Sequence, residues 1–119
     1  MMVQNALKKL KALSDPTRLR IFLLLISFDE ICSCYFAEFF GFSAPTISRH
    51  TSILCESGLI SGRKEGRWVY FSHNRNDKNI KNWLHFLKGT LNEKELNADL
   101  IKMRKILDSG CKSKGCFKK

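Results

Sequence analysis

Residues 43–58, Ser43-Ala44-Pro45-Thr46-Ile47-Ser48-Arg49-His50-Thr51-Ser52-Ile53-Leu54-Cys55-Glu56-Ser57-Gly58, decide how this chain reads. They have the marks of one helix with a defined start and stop. Ser43 is a suitable N-cap, because its hydroxyl can accept from an unpaired N–H of the first turn. Pro45 falls in that turn, where its missing N–H costs little. Gly58 can take the left-handed conformation that closes the last turn. Ile47, Thr51 and Leu54 recur at helical spacing and predict a buried stripe. Thr46, Ser48, Arg49, His50 and Ser52 occupy the other faces. That surface is made of donors and acceptors, and it suits a hydrogen-bonding partner.

The flanking residues give this helix its setting. Upstream, Ile31-Cys32-Ser33-Cys34 leads into Tyr35–Phe40, a two-turn helix closed by Gly41, with Phe36, Phe39 and Phe40 as its core face. A helix, a tight Gly-containing turn and a polar-faced helix make the helix-turn-helix pattern. Downstream, the period changes to two. Leu59 and Ile60, then Ser61–Lys64, a turn at Glu65-Gly66 and the run Arg67–Ser72 predict a β-hairpin with Arg63, Lys64 and Arg67 at its tip. A basic hairpin in this position is a wing, which lays cations along phosphates beside a groove.

Two helices precede this unit. In residues 3–13, Val3, Leu7, Leu10 and Leu13 share a stripe opposite lysines. Asp15 and Pro16 then start a helix over Thr17–Ile26 that is apolar almost all round and therefore central. Two more helices follow from Asp77, joined near Gly89–Asn92. Their stripes are Ile80, Trp83, Leu84, Leu87 and then Leu91, Leu96, Leu100, Met103, Leu107. The expected fold is mainly α with a β-hairpin wing (α+β), a winged helix-turn-helix in the order α-α-α-α-β-β-α-α. The first helix and the last two carry more apolar stripe than one small core absorbs, which points to a homodimer through the first and last helices; a self-contained helical layer is the alternative. Residues 1–108 form the DNA-binding and dimerisation domain, and 109–119 a flexible Cys/Lys-containing tail.

Composition narrows the partner. The chain has 119 residues, one domain's worth, with 44% hydrophobic residues and nine Phe. That is enough to build a core without disulfides. The net charge of +10 points to an anionic polymer or surface. No stretch is apolar enough to span a bilayer and no signal peptide is visible, so a cytoplasmic location is expected, with no membrane partner. Five cysteines in that compartment read as ligands or reactive thiols rather than structural disulfides. Basic charge, helix-turn-helix and wing together give double-stranded DNA as the partner.

At this point the residues resemble the ArsR/SmtB family of winged-helix, metal-sensing repressors, from Leu7 to about His73. The marks are Leu10-Lys11-Ala12-Leu13-Ser14-Asp15-Pro16-Thr17-Arg18-Leu19-Arg20-Ile21, Glu30-Ile31-Cys32-Ser33-Cys34, Ser43–His50, Glu56-Ser57-Gly58-Leu59-Ile60, and the wing Arg63–Tyr70. The resemblance implies a homodimer on an inverted-repeat operator, with half-sites about one helical turn, roughly 34 Å, or a multiple apart. It maps Ser43, Thr46, Ser48, Arg49 and His50 onto reading positions and Arg63, Lys64 and Arg67 onto the wing. For His50, a partly buried ring bonded within the protein is the alternative.

The Cys32-Ser33-Cys34 element resembles the arsenic-sensing branch, in which cysteine thiolates hold the inducer. Thiolates are soft ligands and suit trivalent arsenic or antimony. In a helix, residues i and i+2 point about 200° apart. Cys32 and Cys34 can therefore face one ion only if the segment is extended or distorted, and ligand binding is expected to fix or unwind the start of the helix that follows. Relatives with a third cysteine here carry it three residues after the second, where this chain has Ala37. The third thiolate would come from Cys111 or Cys116, or less readily Cys55, or a methylated arsenical would need only two. Cadmium and lead sensors similar to this family add N-terminal cysteines, and zinc sensors use His on the last helix; this chain has neither.

The implied function is a repressor released from operator DNA when arsenic or antimony binds. No organic cofactor is implied, and the chain lacks the Cys-x-x-Cys or anion loop of a thiol enzyme. The alternative is a redox- or other soft-metal-sensing winged-helix regulator using the same cysteines.

Overall fold

The structure is a computed structural model that describes residues 2–110. In chain order it comprises α1 (Met2–Leu13), α2 (Pro16–Ser27), β1 (Ile31–Cys32), α3 (Ser33–Phe40), α4 (Ala44–Ser57), β2 (Ile60–Glu65), β3 (Trp68–His73), α5 (Ile80–Thr90) and α6 (Glu93–Ser109).

The two marked helix starts form as their residues dictate. The Asp15 carboxylate accepts from the backbone N–H of Thr17 and Arg18 at 2.9 and 3.1 Å, with Pro16 opening α2. Ile21–Leu25 are all buried, so α2 is the central helix. Ser43 caps α4 by accepting from Thr46 N–H at 3.3 Å. Gly58 closes α4 at φ +86°, where a side chain would be strained. Ile47, Thr51 and Leu54 are buried, and the Thr51 hydroxyl donates to the Ile47 carbonyl at 3.0 Å. Lys9 of α1 donates to the Ser57 carbonyl, setting a cation at the negative end of α4.

The sheet differs from the sequence reading in two respects. It has three strands in the order β1-β3-β2, all antiparallel, and the hairpin alone was expected. Ile31 pairs with Phe71 and Cys32 with Tyr70. A two-residue strand shows no period, so β1 left no alternation to read. Glu65 pairs with Trp68, which moves the turn to Gly66-Arg67, with Gly66 at φ +64°. Arg63 and Lys64 therefore lie on β2, and Arg67 is the cation in the turn.

The C-terminal helices divide the surplus apolar surface. α6 lies across α2 and α3 and buries Met103 and Ile106 there. Arg20 of α2 clamps it through two 2.8 Å bonds to Asp99. Lys102 stands 4.6 Å over the Phe39 ring, and Arg104 4.8 Å over Phe28. Val3, Leu7 and Leu10 on α1, Phe86 on α5 and Ile101 on α6 stay exposed. α6 includes Ser109, the first residue of the expected tail. Cys111 and Cys116 lie outside the described residues. Among the described residues no helix is long and apolar enough to cross a membrane.

Candidate functional site

The helix α4 presents Ser48 and Arg49 to solvent beside the cap. Thr46 Oγ1 lies 3.0 Å from Ser43 Oγ and accepts from the Arg49 guanidinium at 3.4 Å. Ser43, Thr46, Ser48 and Arg49 thus form one continuous polar surface at the start of the helix. His50 stands apart from it. Its Nδ1 is 3.8 Å from Asp15 Oδ2 and 3.5 Å from the Arg18 guanidinium, and its side chain is 20% exposed. Arg18 also donates from Nε to the Ala12 carbonyl at 2.7 Å and from NH2 to Lys11 at 3.3 Å. His50 therefore sits where α1, α2 and α4 meet, facing the protein's own charges. The sequence reading named no role for Arg18; its place two residues after a proline-started cap was the available signal.

The three wing cations are not equivalent. Arg63 NH2 and Nε bond Glu30 at 2.8 and 3.1 Å, and NH1 lies 3.1 Å from Glu65. The same guanidinium stacks 4.8 Å over the Tyr70 ring. Its hydrogen bonds hold the Glu30 carboxyl below its ordinary value and raise the arginine's own. Lys64 and Arg67 are exposed and make no ion pair among the described residues. Glu30 and Tyr70 are thus functional neighbours that sequence reading missed, because their pairing with Arg63 spans 33 and 7 residues of chain through the sheet.

Cys32 and Cys34 straddle the end of β1 and the start of α3. Cys32 is the last residue of the strand and the N-cap of the helix, with φ −70° and ψ 144°. Cys34 lies in the first turn. The two sulfur atoms stand 3.4 Å apart. A strand-to-helix junction brings them together with α3 intact, because Cys32 is extended, as the spacing of the pair requires. Cys32 is buried, and its strand partner Tyr70 carries Arg63 on its ring. The element is therefore wired into the wing strand as well as into the helix under α4.

An open groove of about 750 Å³ runs from Cys34 along the contact of α3, α4 and β3. Ala37, Ile47, Trp68, Val69 and Phe71 line it, with Ser48, Ser52, Glu56 and Arg67 toward its rim. Cys55 lines it too, but burial raises its thiol pKa and the neighbouring Glu56 adds to the shift. A thiol held protonated is a poor ligand. Among the described residues no group of three or more His, Cys, Asp or Glu side chains could hold a metal ion. Cys32 and Cys34 are thus neighbouring sulfurs at the junction of β1 and α3, and Cys34 is itself disulfide-bonded.

Comparison with known proteins agrees with this geometry. Residues 15–61 match the family described as bacterial regulatory protein, arsR family. An arsenical resistance operon repressor of Escherichia coli (strain K12) is 48% identical over 61 residues, covering 51% of this chain and about half, 52%, of that protein. The arsenic resistance transcriptional regulator ArsR2 of Pseudomonas putida is 35% identical, covering 85% of this chain and 92% of that one. A crystal structure described as a possible transcriptional regulator for arsenical resistance superposes with a TM-score of 0.55 at 33% identity, covering 77% of this chain and 95% of the other. The two curated relatives are regulators of transcription, not enzymes, and the third is described as a possible one. The polar-faced α4 behind its Gly turn, the basic hairpin and these matches together place the chain in the ArsR family of winged-helix regulatory proteins.

Proposed function

We propose that the chain is a metalloid-responsive repressor. As a homodimer it binds operator DNA, and trivalent arsenic or antimony on Cys32 and Cys34 releases it. The 3.4 Å separation of the two sulfurs carries this reading. Thiolate bonds of about 2.3 Å, as to zinc, meeting a little above a right angle at one soft ion, hold two sulfurs about 3.4 Å apart. An inorganic ion completes its shell with Cys111 or Cys116, whose flanking lysines favour the thiolate. Ser43, Thr46, Ser48 and Arg49 meet the major groove, and Lys64 and Arg67 meet phosphates. His50 orients α4 from behind rather than reading bases. The exposed apolar residues of α1 and α5 supply the pairing surface.

Coupling follows from what each sulfur is attached to. An ion that fixes Cys32 to Cys34 fixes β1 to α3. β1 holds the wing through Tyr70, and α3 packs against α4. A shift of either misaligns wing and reading helix, so inducer and DNA bind with negative coupling.

The test is operator release followed by anisotropy under a phosphine reductant, which does not compete for arsenic as dithiols do. Arsenite should release the wild type. Cys32→Ser combined with Cys34→Ser should bind operator and ignore arsenite, and C111S with C116S should need more arsenite. Release of the Cys32/Cys34 double variant at the wild-type concentration refutes the reading. The sulfurs' proximity favours a second reading in which peroxide oxidises the pair; release by peroxide alone, with none by arsenite, would establish that instead.

A further inference from the structure

We infer that Ile53 reads a thymine of the operator through the base's 5-methyl group, a role that rests on α4 entering the major groove. Successive residues of an α-helix turn by about 100°, so Thr46, Arg49 and Ile53, spaced i, i+3 and i+7, make one stripe. That stripe lies away from the buried one of Ile47, Thr51 and Leu54. The Arg49 guanidinium donates to Thr46 Oγ1 at 3.4 Å, which ties the first two members together. Ile53 is the third, and it is 40% exposed. A single exposed isoleucine on an ordinary surface needs no explanation. Ile53 has a particular place: Arg49, Ser52 and Glu56 are exposed around it, and it is the large hydrophobic side chain that α4 shows to solvent.

Of the four bases, thymine alone shows the major groove a methyl group. Contact between that methyl and an aliphatic side chain is favourable, because both surfaces leave water. The remaining base edges are donors and acceptors, which isoleucine would cover without pairing, at a cost. Ile53 therefore favours a T·A pair over the others at the place it meets. Helix dimensions bound that place. Ile53 stands four residues beyond Arg49, about 6 Å along the axis, so its thymine lies within about two base-pair steps of the contact made by Arg49. Glu56, one turn further, carries a carboxylate that phosphates repel, which leaves Ile53 as the last member of the stripe to touch DNA.

The experiment uses the full chain under a phosphine reductant, with a palindromic duplex that the chain selects from a random-sequence pool. Each thymine of a half-site is replaced in turn by uracil, symmetrically in both halves. Uracil keeps every hydrogen-bonding group and lacks the methyl. At one thymine, uracil should weaken wild-type binding about fourfold per half-site and about fifteenfold for the duplex, the worth of one buried methyl. Ile53→Ala should bring the thymine and uracil duplexes to within about twofold of each other at that position, and Ile53→Val should keep most of the difference. The ratio is taken within each variant, so a general loss of stability does not produce it. A wild type indifferent to every methyl, or a methyl effect that survives I53A, overturns the role of Ile53. So does an I53A chain that sediments as a smaller species than wild type without DNA, which would put Ile53 between two copies. Failure of the pool to yield a preferred duplex, or an Arg49→Ala variant as selective as wild type, overturns the placing of α4 in the groove instead.

Discussion

Replacing the wing cations one at a time should separate them sharply. Salt dependence of operator binding counts the phosphates neutralised, at about 0.9 in the slope of log K against log salt for each one. Lys64 and Arg67 are exposed and make no ion pair among the described residues, whereas Arg63 is held by Glu30 at 2.8 Å and Glu65 at 3.1 Å. In a dimer each residue occurs twice. R67A should lower the slope by about 1.8, and K64A combined with R67A by about 3.6. R63A should leave the slope nearly unchanged, because its charge is already matched within the protein. Glu30→Gln should act in the opposite sense: it frees the Arg63 guanidinium, so the slope should steepen. The assay is anisotropy of a labelled operator duplex across a salt series, with a scrambled duplex as the non-specific control. A loss in R63A equal to that in R67A would refute the argument that the Glu30 clamp withdraws Arg63 from DNA.

Three further outcomes follow from the packing. Leu54→Ala removes a fully buried side chain from the base of α4 and should cost about 2–5 kcal/mol, read as a lower denaturant midpoint at constant m-value; a loss below about 1 kcal/mol contradicts the burial. Met103→Ala at the α6 contact should cost a similar amount and lower the hydrogen-exchange protection of α6; unchanged protection there contradicts its docking. The third concerns acid. Glu30 is held below its ordinary carboxyl value by Arg63, so the stability it lends is complete above that value and lost as pH falls through the folded one. Glu30→Gln should therefore lose less stability than wild type between about pH 5 and pH 3, and equal losses would show that the clamp contributes nothing.

Much of this protein was legible because its signals are local. A cap, a proline and a glycine fall within one helix length, and their consequences need only neighbouring backbone. Ser43, Pro45 and Gly58 thus determined α4, as Asp15 and Pro16 determined the start of α2. The period of Ile47, Thr51 and Leu54 determined which face α4 buries, and the residues left over determined its polar surface. The basic hairpin was visible from alternation and charge alone. Cysteine spacing singled out Cys32 and Cys34 as candidate ligands, although helix geometry alone would have pointed them apart. Only the tertiary structure decided how they meet. Cys32 is drawn into a strand by Tyr70, 38 positions later, and that pairing turns its sulfur toward Cys34. The same sheet sets Glu30 against Arg63, pairing one of the three wing cations within the protein. His50 was likewise placed by Asp15 and Arg18 across two helix joints. These contacts depend on which distant segments the core brings side by side, and no window of sequence holds both partners.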